Sequence, residues 1–78
     1  MGDIMAKFYV TYGIASNLAR CYSMVEAETY DEARDHIDNV TAGKFAFCYN
    51  EIGFGNQIEK YNLRLVDLQP QILLDNHG

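Results

Sequence analysis

The segment Thr29-Tyr30-Asp31-Glu32 constrains this chain more than any other. A threonine followed three residues later by a glutamate is a capping box, in which hydroxyl and carboxylate reciprocally satisfy two backbone amides left open at a helix start. Asp31 and Glu32 also set negative charge at the positive end of the helix dipole. Tyr30, Ala33, Ile37 and Val40 then recur at helical spacing, and Gly43 followed by Lys44 offers a left-handed cap and a nearby cation. The spacing predicts a helix over 30–41. Its apolar stripe is one-sided, so it needs a flat surface to lie on.

Period-two runs supply that surface. Phe8, Val10 and Tyr12 share one side of a strand expected at 7–12. In the next, at 20–27, Cys21, Ser23, Val25 and Ala27 face one way and Tyr22, Met24 and Glu26 the other. The first of these faces is small, which suits a helix lying close above it. Short strands are expected at 45–49 and 63–68, the last stopped by Pro70. Phe54, Ile58 and Tyr61 recur at i, i+4 and i+7 and predict a second helix over 54–61, although Gly55 there costs about 1 kcal/mol relative to alanine. The order β-β-α-β-α-β gives an α+β fold: a four-stranded, mostly antiparallel sheet with two helices packed on one face. Seventy-eight residues suffice for a single domain, with 1–5 and 75–78 expected to fray.

Composition excludes several classes. Half the residues are hydrophobic, which argues against intrinsic disorder. Six basic residues against eleven acidic ones leave a net charge of −5, so direct nucleic-acid binding is not expected, since it relies on cations displacing phosphate counterions. No apolar run reaches the ~18 residues of a membrane span. The opening residues lack a basic n-region and an apolar h-region, and the expected location is the cytoplasm. Cys21 and Cys48, each inside a predicted strand, are expected to be buried, reduced thiols.

Chemistry-bearing constellations are sparse. No Cys or His pair has metal-ligand spacing; Glu32 and His36, at i and i+4, read as a surface helix pair, and His77 falls in the expected tail. Neither cysteine stands at a helix N-terminus where a thiolate would be stabilised, so a Cys–His nucleophile is not expected. Gly53-Phe54-Gly55-Asn56 has no adjacent cation and matches no phosphate-binding fingerprint. The chain reads as a non-enzyme without metal or cofactor.

Two surface features remain. Glu26, Glu28, Asp31, Glu32, Asp35 and Asp38 fall within thirteen residues, interrupted only by Arg34. Asp31, Asp35 and Asp38 recur at i, i+4 and i+7, forming one acidic stripe that runs toward the helix C-terminus, where dipole compensation cannot explain it. Tyr9, Tyr22, Phe47 or Tyr49 lie on the sheet face away from the helices if register places them there, and Tyr9 and Tyr22 are taken as interface candidates, since tyrosine is favoured at interfaces. The expected partner-binding set is therefore Glu28, Asp31, Asp35, Asp38, Tyr9 and Tyr22, aimed at a protein with a basic surface, with a homo-oligomer as a further possibility.

The Lys7–Gly13 opening, the Val25-Glu26-Ala27 lead into Thr29-Tyr30-Asp31-Glu32-Ala33 and the finish at Pro70 resemble the small acidic single-domain proteins encoded by phages and prophages. The resemblance is one of style over about 65 residues, without a specific motif. It implies an inhibitor of bacterial defence, of the anti-CRISPR type, acting in the host cytoplasm by covering a surface. Two other readings stand beside it: an oligomeric binder of small molecules such as signalling nucleotides, and a phage structural or assembly protein.

Overall fold

The computed structural model describes residues 5–74, and His77 and the chain ends lie outside them. The elements are β1 (Ala6–Thr11), β2 (Cys21–Ala27), α1 (Tyr30–Thr41), β3 (Phe47–Asn50), α2 (Glu51–Phe54), α3 (Gln57–Tyr61) and β4 (Arg64–Leu65). The α+β class and the element order are as expected. One four-stranded sheet runs β3-β1-β2-β4. β1 pairs antiparallel with both β2 and β3, setting Val10 opposite Ser23 on one side and Cys48 on the other. β4 joins β2 in parallel, with Cys21 opposite Arg64, so the sheet is mixed.

α1 forms where its cap places it. The Thr29 hydroxyl accepts from the Glu32 amide at 3.1 Å, from an extended backbone. Its buried side is Ala33, Ile37 and Thr41, whereas Tyr30 and Val40 remain 40% and 39% exposed. The predicted stripe is thus rotated: Thr41 takes the place expected for Val40, its hydroxyl donating to the Ile37 carbonyl at 2.6 Å. Burial of that polar side chain is tolerated because its hydrogen bond is made within the helix. The left-handed cap begins one residue early, at Ala42, and continues through Gly43.

α1 lies over Phe8, Val10, Cys21, Val25 and Ala27, which with Ala33 and Ile37 form the main core. Within it the Tyr12 hydroxyl lies 2.8 Å from Ser23 Oγ, which donates to the Val66 carbonyl at 2.8 Å. That chain satisfies the buried hydroxyls of Tyr12 and Ser23 while tying β2 to the segment after β4.

The second helical region differs from expectation in two ways. It is split into α2 and α3 at Gly55, whose φ of 58° with ψ of −129° lies outside the left-handed helical region and suits glycine. It also lies on the other face of the sheet. Strand residues alternate sides, so Tyr9 points away from Phe8 and Val10, and Phe54 of α2 stacks on Tyr9 with ring centroids 4.5 Å apart and planes within 10°. Two helices on one face would have left three tyrosines uncovered; the split lets Phe54 reach them instead. β4 is correspondingly short, two residues of the expected 63–68.

Candidate functional site

Two surfaces carry unused chemistry, one on each side of the sheet. On the first, the outer side of α1, the residues Glu28, Asp31, Glu32, Asp35 and Asp38 are all exposed. The inner side is sealed by Ala33, Ile37 and Thr41, none of them accessible. Folding therefore makes no use of these carboxylates beyond compensation of the dipole at Asp31 and Glu32. The interrupting cation is turned away: the Arg34 guanidinium lies 5.4 Å from the centroid of the Phe45 ring, a cation–π contact. α1 has no basic residue in its last turn. His36 is exposed on the same helix.

The second surface is aromatic. Tyr9, Tyr22 and Tyr49 come from three strands, and Phe54, 2% exposed, lies against all of them at 4.5, 5.5 and 5.8 Å. α2 is placed for this by the Asn50 side chain, whose carbonyl accepts from the Gly53 amide at 2.6 Å. A Cβ at Gly53 would come within 3.0 Å of that same oxygen, so the cap and the glycine belong together. Tyr9 and Tyr22 are therefore half-buried members of a stack, on the face opposite α1. The six residues expected to bind a partner are not brought together: Glu28, Asp31, Asp35 and Asp38 share one surface, while the two tyrosines face the other way.

Beside the stack, toward the start of β2, opens a groove of about 810 Å³. Phe47 and Tyr49 form one wall, α3 another, and Arg20 stands at its edge. Phe47 and Tyr61 are 63% and 53% exposed, so these rings do not serve the core. Sequence reasoning passed over Arg20, Gln57, Lys60 and Tyr61. Their signal was the i, i+3, i+4 spacing of Gln57, Lys60 and Tyr61, which puts an amide, a cation and a ring on one side of a turn.

The thiols are both free, Cys21 buried and Cys48 only half-buried. Burial pushes the Cys48 thiol above its ordinary pKa, against smaller opposing effects of the Tyr30 hydroxyl and Arg34. Cys48 is consequently a poor nucleophile at neutral pH. Among the described residues, no three His, Cys, Asp or Glu side chains are grouped to hold a metal ion, and no helix is long and apolar enough to cross a membrane. No family model, no curated protein and no solved structure matches this chain.

Proposed function

We propose that this protein is a non-catalytic inhibitor or adaptor that covers a basic surface of a partner protein with the acidic face of α1. The observation that supports this is the division of labour on the helix: Asp31, Asp35 and Asp38 are exposed while the packing side is fully sealed. Such a face matches a short run of phosphates in the sign of its charge. Its fitting complement is a protein surface that otherwise holds nucleic acid, as a CRISPR-type defence complex of a phage host would present. Opposite charges steer the encounter and fix register, and like charges brought together cost several kcal/mol.

The test is a capture experiment with two immobilised proteins, the parent and the Asp35→Lys, Asp38→Lys double variant. Both substitutions lie on exposed positions, so the variant should retain its stability within about 0.5 kcal/mol. A basic protein held stoichiometrically by the parent at low salt, released as salt rises, and not held by the variant is the expected result. A partner that binds the folded variant as tightly as the parent removes α1 from the interface.

A further inference from the structure

We propose that the groove between Phe47 and α3 binds a mononucleotide, a ligand with one flat heteroaromatic ring and one phosphate. The inference is independent of the role given to α1, which covers the other face of the sheet.

Charge is the first argument. The whole chain carries eleven acidic residues against six Lys and Arg, yet among the described residues no acidic side chain lines the groove and two of the six cations do, Arg20 and Lys60. An acid-free basic hollow on an acidic protein attracts a small anion by local complementarity. The same net charge of −5 opposes a long polyanion, whose further phosphates would extend beyond these two cations. One phosphate is what the site can balance.

Shape and ring chemistry are the second. Phe47 and Tyr61 both line the groove with more than half their surface open, Tyr61 with the Lys60 ammonium 5.4 Å from its ring centroid, and a nucleobase upon such a ring gains stacking energy in a way no aliphatic ligand would. Gln57 and Asn62 add side-chain amides, each able to donate and accept toward a base edge. The volume of about 810 Å³ falls within the range of small-ligand clefts.

The third is the placement of the lining itself. α3 buries none of its five residues, so Gln57, Lys60 and Tyr61 are not there to complete the core. Arg20 has φ 61°, a left-handed backbone that glycine or asparagine adopts far more readily. That backbone is pinned from both directions: the Arg20 carbonyl accepts from Arg64 at 2.8 Å, and the Cys21 amide donates to Leu18 at 3.0 Å. The chain thus carries a long cationic side chain where the backbone favours a small residue.

The experiment is a ¹H–¹⁵N NMR titration of the full chain with adenosine, guanosine, cytidine and uridine 5′-monophosphates. At least one should give saturable shifts at the amides of Arg20, Phe47, Lys60 and Tyr61. Ribose 5-phosphate and the matching nucleoside should each bind about tenfold more weakly than the nucleotide, one lacking the ring and the other the charge. Arg20→Asn removes the cation with a residue suited to the backbone, and the spectrum itself reports that the fold is kept. This variant and Lys60→Gln should each lose about tenfold in affinity, the scale of one charge-assisted hydrogen bond. Three results overturn the proposal: no saturable shift at these residues up to about 10 mM of any nucleotide, equal binding by both folded variants, or a single-stranded hexanucleotide binding more than tenfold tighter than the mononucleotide, which would make the ligand a strand.

Discussion

The two faces of the sheet bury their surface by different means. Under α1, β2 presents small and aliphatic side chains (Cys21, Ser23, Val25 and Ala27) beside Phe8 and Val10 of β1, and a twelve-residue helix settles on them. On the other face the strands present Tyr9, Tyr22 and Tyr49, and the cover is one phenylalanine on a four-residue helix. Small residues permit a continuous seal; large rings hold a short helix away except where one ring can slot among them. The aromatic face is consequently closed at Phe54 and open beside it. The rings beside it stay more than half exposed: Phe47 leans on Tyr49 at 6.1 Å between centroids, and Tyr61 meets the Lys60 ammonium at 5.4 Å.

If Phe54 is the keystone of a second core, its removal should be as damaging as a deletion in the first. Phe54→Ala should cost about 3–5 kcal/mol, and Ile37→Ala about 2–5 kcal/mol, read as shifts in urea midpoint. A loss under about 1 kcal/mol for Phe54→Ala, with Ile37→Ala still severe, would break the comparison and reduce the aromatic face to a surface ornament of the α1 core.

A smaller effect sharpens it from the α1 side. Ser23→Ala deprives the Tyr12 hydroxyl of its acceptor and the Val66 carbonyl of its donor, and should cost about 1–3 kcal/mol. Thr29→Ala removes only the exposed cap of α1 and should cost about 1 kcal/mol. Were Thr29→Ala the worse of the two, helix initiation rather than the buried chain would dominate that face.

The smallest effect concerns Cys48. Its folded thiol has a raised pKa, so the unfolded chain ionises first as pH climbs. The associated stability is present in full below the unfolded thiol's pKa and is lost as pH rises through the folded one. Cys48→Ser should flatten the alkaline end of the stability profile. An alkylation rate at neutral pH equal to that of a free thiol would contradict the raised value.

What was legible in the sequence follows local chemistry. Thr29 and Glu32 mark the start of α1 because a cap is made within four residues, and the alternation of Phe8, Tyr9 and Val10 marks β1 for the same reason. The side on which Phe54 lands is not local. Its spacing to Ile58 and Tyr61 reads as one helical stripe, yet Gly55 breaks that helix, Tyr61 stays exposed, and only the assembled row of tyrosines selects the face. β4 pairs over two residues and in parallel, a register set by Arg20 and Tyr22 far away in sequence. The acidic stripe was visible as periodicity. The groove was not, since its walls come from β3, α3 and the turn at Arg20.

The segment after β4 has a consequence for the order in which the chain can close. Ile72 exchanges two hydrogen bonds with Asn17, its carbonyl accepting from the backbone amide at 2.9 Å and its amide donating to the side chain at 2.7 Å. Gln71 meets both Gly13 and Lys44, and the Leu74 amide reaches the Ala15 carbonyl at 2.7 Å. The β1–β2 hairpin can zip as soon as residue 27 is available, but the loop between those strands acquires its last partners from residues 71–74. Closing across more than fifty residues carries an entropy cost that a local turn does not. The 13–18 loop therefore gains its last partners only when residues 71–74 arrive, and a truncation after Leu65 should leave it open to proteolysis.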